Sequence, residues 1–119
     1  MAALERPAVR PRPVYLNLLA IRLPLPAFVS ILHRVSGALL FLVGIPLLLW
    51  GVQRALASAD GWAQLRGMVN HPFGKLVLIG LAWAYLHHLL AGIRHLLMDL
   101  HIGVNLQAGR QSAAVVLVV

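Results

Sequence analysis

Apolar and polar positions divide the chain into two long apolar segments flanked by basic residues. Residues 35–52 contain no ionisable side chain, and this is about the minimum length for a membrane-spanning helix. Residues 76–93 contain no Lys, Arg, Asp or Glu, although two adjacent histidines interrupt the apolar run. The pattern predicts one span over about residues 26–54 and a second over about residues 73–100.

A third apolar run begins at Ser112 and continues to the last residue of the sequence. It would cover only about 12 Å at 1.5 Å per residue, against roughly 30 Å of hydrocarbon. We therefore expect an all-α membrane protein, a transmembrane helical bundle of three spans with the third truncated in this sequence. Residues 55–71 and 103–110 are expected to be connecting loops, and Pro46 is expected to kink the first span.

The composition supports a membrane location. Hydrophobic residues make up 61% of the chain, charged residues 11%, and the mean hydropathy is +0.85, which excludes an ordinary water-soluble domain. The net charge of +7 comes from residues that mostly flank the apolar segments, so we interpret it as an orientation signal and expect no nucleic-acid partner. The absence of cysteine excludes disulfides and thiolate metal sites.

Basic residues near the predicted span ends indicate the orientation of the chain. One side carries Arg6, Arg10, Arg12, Arg22, Arg34, Arg94 and Arg110, and the other carries Arg54, Arg66 and Lys75. The excess predicts a cytoplasmic amino terminus. Residues 1–25 are thus expected to form a cytoplasmic arm, and residues 26–119 a transmembrane anchor domain. A cleavable signal peptide is the alternative for the first span, but that span is too long and its start too rich in proline.

Polar residues of the second predicted span fall on two adjacent stripes. At about 100° per residue, one stripe contains His88, Gly92, His95 and Asp99, and the other contains His87, Ala91 and Arg94. An imidazole at His88 buried without a partner would cost several kcal/mol, and an axial bond to haem iron would satisfy it. Gly92 would leave room for a flat macrocycle, and Arg94 and His95 could pair with its propionates. A hydrogen bond across a helix interface and a proton relay remain open.

The first span carries a second polar cluster at its cytoplasmic end, comprising Ser30, His33, Arg34 and Ser36. Ser30 and Arg34 are one turn apart and share a face, where a hydroxyl and a guanidinium could hydrogen-bond a quinone. The alternative is that Arg34 extends to lipid headgroups. Small residues recur every seventh position at Ser30, Gly37, Gly44 and Gly51, which predicts close helix packing. The second span returns to the side where the first begins, so both clusters should lie at one depth.

Four short segments together resemble a known family, and the resemblance covers most of the chain. They are Arg12-Pro13-Val14, Ser30-Ile31-Leu32-His33-Arg34-Val35-Ser36-Gly37, His88-Leu89-Leu90-Ala91-Gly92-Ile93-Arg94-His95 and Met98-Asp99. In this combination they resemble the cytochrome b subunit of succinate dehydrogenase, a membrane anchor of complex II. The truncated third span departs from the family pattern.

This resemblance implies a three-span subunit that pairs with a second membrane anchor and holds an iron–sulfur subunit and a flavoprotein subunit at the lipid membrane. It further implies that His88 is one axial ligand of haem b and that the second anchor supplies the other. By the same resemblance, Ser30 and Arg34 line the ubiquinone site. His33, Arg94 and His95 would lie at the polar edge of the haem.

The expected activity is transfer of electrons from the iron–sulfur subunit to ubiquinone, in a bacterial inner membrane rather than a mitochondrial one. The chain has no flavin-binding glycine motif and only three acidic residues, so we expect succinate oxidation to belong to the assembled complex. A fumarate reductase anchor has the same architecture and is one alternative. A subunit without haem, serving as a proton relay or in transport, is the other.

Overall fold

A computed structural model describes residue 17 and residues 20–118, and within these residues the regular structure is entirely helical. The helices are α1 (Leu25–Ala57), α2 (Ala59–Asn70), α3 (Pro72–Asp99) and α4 (Leu106–Val118). Helices α1 and α3 are long and apolar enough to cross a membrane, which agrees with the two predicted spans. Most of the predicted arm lies outside the described residues, as do Arg6, Arg10 and Arg12 and the segment Arg12-Pro13-Val14.

Helix α1 contains a π-helical turn, Leu40–Gly44, between α-helical segments Leu25–Leu39 and Ile45–Ala57. The Ile45 N–H donates to the Leu40 carbonyl, one residue further back than in an α-helix. Pro46 follows immediately; it has no N–H, and its ring would crowd the carbonyl four residues earlier in a regular helix. The irregularity expected from Pro46 therefore takes the form of a wide turn just before it.

The prediction of a loop over residues 55–71 is wrong, because most of that segment forms helix α2. Ser58 begins the helix: its hydroxyl accepts a hydrogen bond from the Gly61 N–H at 3.0 Å, as is typical of an N-cap. Helix α2 ends at Asn70, and the extended backbone of the next residue, His71, turns the chain into α3. The His71 ring then caps α3 by accepting from the Phe73 N–H at 3.2 Å.

The connection between α3 and α4 is shorter than predicted. Helix α3 is closed by a hydrogen bond from the Ile102 N–H to the Leu97 carbonyl at 2.9 Å, with His101 in the left-handed region at φ 60°. Asn105 caps α4 by accepting from the Ala108 N–H at 2.7 Å. Helix α4 thus begins well before Ser112, inside the segment predicted as a loop. Its 13 residues are fewer than the roughly 20 that cross a bilayer.

Three helices pack together at the amino-terminal end of α1. Val29 of α1, Ala91 of α3, and Ala113 and Val116 of α4 are buried in one cluster. Elsewhere the long helices are largely uncovered: only 6% of the apolar window of α1 and 17% of that of α3 is buried. Such an apolar outer surface requires lipid or partner helices around it.

The small-residue stripe of α1 faces helices of the same chain. A Cβ at Gly44 would lie 3.8 Å from Leu81 of α3, and one at Gly51 would lie 3.9 Å from Leu65 of α2. Gly37 contacts α3 two turns before Gly44. Later residues of α1 therefore contact earlier residues of α3. The two helices pack antiparallel, as expected for successive spans.

Candidate functional site: a histidine cluster between α1 and α3

Antiparallel packing brings the polar clusters of the two long helices together. His33 of α1 stacks on His88 of α3, with ring centroids 4.2 Å apart and an interplanar angle of 10°. His95 lies two turns after His88 on the same face of α3. Its ring centroid is 5.1 Å from that of His33, and the two rings are tilted by 48°. We call His33, His88 and His95 the histidine cluster. Their contacts agree with the prediction that the polar clusters of the two spans lie at one depth.

The proton position on the His88 ring follows from its partners. Nδ1 of His88 lies 3.0 Å from the His33 carbonyl oxygen and 3.2 Å from the Ser36 hydroxyl oxygen. A carbonyl oxygen can only accept, so Nδ1 carries the proton and donates it. The Ser36 hydroxyl donates to the same carbonyl at 2.9 Å, which leaves an oxygen lone pair facing Nδ1.

This tautomer leaves the other ring nitrogen available for a ligand. Nε2 of His88 carries a lone pair and has no hydrogen-bond partner in the part of the chain that the structure describes. A neutral imidazole whose Nδ1–H is held by a backbone carbonyl is the form in which histidine binds transition metals. The His88 ring therefore fits an iron centre that approaches from Nε2.

A haem would have to bring most of its own ligands. No group of three or more His, Asp or Glu side chains converges on a metal position in residues 20–118. A single histidine is nevertheless sufficient for one axial position, because the porphyrin supplies four nitrogens itself. The geometry fits haem better than it fits a metal ion bound by protein alone.

Two glycines allow this close packing. A Cβ at Gly37 would lie 2.7 Å from Cε1 of His88, which is closer than real Cβ atoms approach, so the ring fits only beside glycine. A Cβ at Gly92 would lie 3.5 Å from Nε2 of His33. The flat group beside Gly92 in this chain is thus the His33 ring, in a space where the sequence suggested a macrocycle.

His87, the neighbour of His88, has a different environment. It is 1% exposed, and its ring stacks on Trp83 with centroids 5.4 Å apart. Neither ring nitrogen has a hydrogen-bond partner among the described residues. No acceptor holds its tautomer, and its nitrogens face the packed interior, so the structure favours His88 as the ligand.

Arg94 is directed toward α4. Its guanidinium is buried, with Nε donating to the Ser112 hydroxyl at 3.0 Å and Nη2 donating to the Gly109 carbonyl at 3.2 Å. Two of the donors that the sequence assigned to the haem edge thus join α3 to α4. His95, assigned to the same edge, lies in the histidine cluster.

Ser30 and Arg34 lie one turn apart on α1. Ser30 is half-buried and Arg34 is exposed, and neither has a hydrogen bond or ion pair within the described part of the chain. Both side chains are available to a molecule outside the chain. Their assignment to a quinone stays a prediction.

The sequence did not reveal what Ser36 and Gly37 do. Ser36 was grouped with the first-span cluster and Gly37 with the small-residue stripe, but neither was connected to His88. The available signal was the spacing of Ser36 three residues after His33, which lets its hydroxyl reach the His33 carbonyl. The approach of His88 to that carbonyl depends on interhelical packing.

Comparison with known proteins identifies the family. Residues 8–119 match the family model described as Succinate dehydrogenase/Fumarate reductase transmembrane subunit. The succinate dehydrogenase cytochrome b556 subunit of Coxiella burnetii is 43% identical over 109 residues, which cover 91% of this chain and 86% of that protein. The protein of the same name from Paracoccus denitrificans is 36% identical over 102 residues, 86% of this chain and 78% of that protein. The Rickettsia felis protein is 31% identical over 97 residues, 82% and 74% respectively.

Proposed function

We propose that this chain, which belongs to the Succinate dehydrogenase/Fumarate reductase transmembrane subunit family, supplies one axial ligand of haem b and part of a ubiquinone site. The relatives' names support the coarser statement that it is a membrane subunit of complex II. Their designation as cytochromes b556 supports haem b as the cofactor. The specific partners we propose are a second membrane anchor, an iron–sulfur subunit and a flavoprotein subunit.

The observation that carries this proposal is the position of His88 Nδ1, 3.0 Å from the His33 carbonyl oxygen, from which the tautomer follows. Its Nδ1–H is held by the His33 carbonyl and Ser36, while Nε2 has no partner among the described residues. His88 lies about 16 Å along α3 before Asp99, which suits a cofactor well inside the bilayer. One imidazole from this chain would leave a further iron ligand to come from the second membrane anchor.

Haem b, when bound, supplies a one-electron centre beside the route to quinone. The chain's residues hold and orient it. His88 provides the iron ligand, and we assign His33 and His95 to its polar edge because both belong to the histidine cluster. Arg94 could serve that edge only through Nη1, since Nε and Nη2 donate to α4.

Ser30 and Arg34 are proposed to hold ubiquinone. Reduction of ubiquinone places negative charge on its carbonyl oxygens before protons arrive, and a hydroxyl and a guanidinium stabilise such oxygens by hydrogen bonds. Both groups lack competing partners within the described residues, and Arg34 is exposed. The role of these residues is to bind and orient the quinone for electron transfer.

The chain is a membrane protein, and we propose a multi-pass arrangement in a bacterial inner membrane with the amino terminus in the cytoplasm. In this arrangement residues 1–25 form the arm and residues 26–119 the anchor domain. The excess of basic residues at the amino-terminal end of α1 supports this orientation. The succinate dehydrogenase names of the relatives favour succinate oxidation over fumarate reduction as the direction.

The haem proposal is tested by His88→Leu in the purified complex, with His87→Leu as the matched control. We expect the b-type absorbance in the reduced-minus-oxidised spectrum to be lost in the first variant and retained in the second. The reason is that only His88 has its tautomer held for iron binding. An unchanged spectrum in His88→Leu would contradict the proposal. A complex that contains no haem at all would favour the proton-relay alternative.

The quinone proposal is tested by Ser30→Ala and Arg34→Leu. We expect succinate-dependent reduction of a soluble ubiquinone analogue to slow, by about tenfold or more for Arg34→Leu, because a charge-assisted hydrogen bond contributes about 1.5–3 kcal/mol. The haem spectrum should remain. Arg66→Leu, an exposed arginine on α2, is the control and should leave the rate unchanged. Normal kinetics in both test variants would remove this site from the proposal.

A further inference from the structure

We propose that Ser36 and Gly37 are positioning residues that fix the proton and the orientation of the His88 ring and thereby tune the haem. This inference rests on the proposed function, because it concerns a haem bound through His88. It assigns a role to two residues of α1 that touch the ligand's far side and do not touch iron. We call the His33 carbonyl, the Ser36 hydroxyl and Gly37 together the His88 support.

The hydrogen bonds of the His88 support share one proton between two acceptors. The Nδ1–H of His88 points to the His33 carbonyl at 3.0 Å and to the Ser36 hydroxyl oxygen at 3.2 Å. Ser36 also donates to that carbonyl at 2.9 Å, so the three groups form a closed set in which each bond orients the next. Ser36 is buried, and hydrogen bonds are stronger in such a low-dielectric environment than in water.

Gly37 provides the steric part of the support. The position of its missing Cβ lies 2.7 Å from Cε1, 3.2 Å from Nδ1 and 3.6 Å from Nε2 of His88. These three atoms belong to one rigid ring, so a methyl group at residue 37 must displace the ring as a whole. A displaced ring loses the alignment of Nδ1 with its acceptors.

The electronic consequence follows from the polarity of these contacts. Acceptors on Nδ1–H draw the proton away from the ring and make Nε2 a stronger electron donor. A stronger donor stabilises ferric iron relative to ferrous iron and so lowers the haem potential. Ser36 should therefore lower the potential, and Gly37 should govern whether the ligand is in place at all.

The electronic part is tested in the purified complex with Ser36→Ala and Ser36→Thr. Ser36→Ala keeps the His33 carbonyl as an acceptor, so haem should stay bound while its midpoint potential shifts to a more positive value. The low-spin ferric signal in electron paramagnetic resonance should shift with it. Ser36→Thr keeps the hydroxyl and should return both readouts toward those of the unsubstituted complex.

The steric part is tested with Gly37→Ala, measured as haem per complex. We expect a loss of haem, because the ring cannot keep its place. Gly80→Ala on α3 is the matched control, since a Cβ there meets no atom within 4 Å, and it should keep full occupancy. Full occupancy with an unshifted spectrum in Gly37→Ala would overturn the steric role.

Failure of this inference is distinct from failure of the proposed function. An unshifted potential and resonance signal in Ser36→Ala, in a complex where His88→Leu removes the haem, would overturn the role of Ser36 and leave His88 as the ligand. Retention of haem in His88→Leu would overturn the proposed function itself. If Gly37→Ala prevents assembly, the pair Ser36→Ala and Ser36→Thr decides the question alone.

Discussion

Adjacent residues with the same side chain have different chemistry in this protein. His88 has two acceptors for Nδ1–H, whereas His87 has a partner for neither nitrogen among the described residues. The difference arises from a rotation of about 100° around α3, which turns His88 toward the backbone of α1 and His87 into the packed interior. A histidine becomes a ligand through the group that holds its other nitrogen as much as through its own position.

Arg94 offers a test at the same scale. We expect Arg94→Leu to destabilise the chain by about 2–3 kcal/mol, because two hydrogen bonds from a buried charged group are lost. The measurement is the melting temperature of the purified complex, together with the rate of proteolysis within α4. Arg110→Leu, an exposed arginine of α4, is the control and should change neither. A normal melting temperature in Arg94→Leu would show that these bonds contribute little.

The sequence predicted that several polar residues of the two spans meet, though not the contacts among them. Helical periodicity was sufficient to place His88 and His95 on one stripe of α3, and the antiparallel arrangement of the spans was sufficient to place His33 at a similar depth, because both depend only on residue spacing. The partners of Arg94 and Ser36 were not predictable in that way. They depend on side-chain rotamers and on the position of α4, which spacing along α1 and α3 does not determine.

Some helix boundaries were predictable from the sequence and others were not. The two spans follow from hydrophobic length, and the structure agrees with both to within a few residues. Helix α2 was missed because its small and polar residues are typical of a loop, although Trp62, Leu65 and Val69 recur at helical spacing and Ser58 carries a usable N-cap signal. The π-helical turn before Pro46 was expected only as a kink, since proline indicates where a helix is disturbed without specifying the form.

The corner between α2 and α3 provides a test of element packing. A Cβ at Gly74 would overlap the carbonyl oxygen of Met68, so the first turn of α3 passes directly against the backbone of α2. We expect Gly74→Ala to open this corner and raise its sensitivity to protease in the purified complex. Gly67→Ala is the matched control, because a Cβ there meets nothing within 4 Å and alanine favours a helix. Equal sensitivity of both variants would contradict the close approach.

Much of the apolar surface of the two long helices is not covered by the rest of the chain. Most apolar side chains of α1 and α3 face outward, while the histidine cluster lies at their shared interface near the packed end of the bundle. Lipid can cover apolar side chains, but a haem held through His88, as we propose, would need a further ligand from outside this chain. A second anchor beside α3 would satisfy both needs at once, which is why partner and cofactor belong to one proposal.

The distribution of basic residues predicts the orientation of the chain in the membrane. If the amino terminus is cytoplasmic, α2 lies on the periplasmic side and the start of α4 on the cytoplasmic side, because α1 and α3 each cross once. The chain contains no cysteine, so a single introduced thiol reports its own location without background from this subunit. Ala63→Cys on α2 and Gln107→Cys on α4 replace exposed side chains.

In intact spheroplasts, a membrane-impermeant maleimide should label Ala63→Cys and leave Gln107→Cys unlabelled, and both should react after the membrane is opened. Labelled chains are identified on gels by their mass of 13.0 kDa and by comparison with the unsubstituted complex labelled in parallel, in which this subunit has no cysteine to label. The physical basis is the excess of arginine near the amino-terminal end of α1 and the carboxy-terminal end of α3, because arginine-rich ends tend to stay in the cytoplasm. The reverse labelling pattern would show that the amino terminus lies in the periplasm and would contradict the proposed orientation. It would also place the histidine cluster, Ser30 and Arg34 near the periplasmic side, away from the cytoplasmic iron–sulfur subunit that we propose as the electron donor.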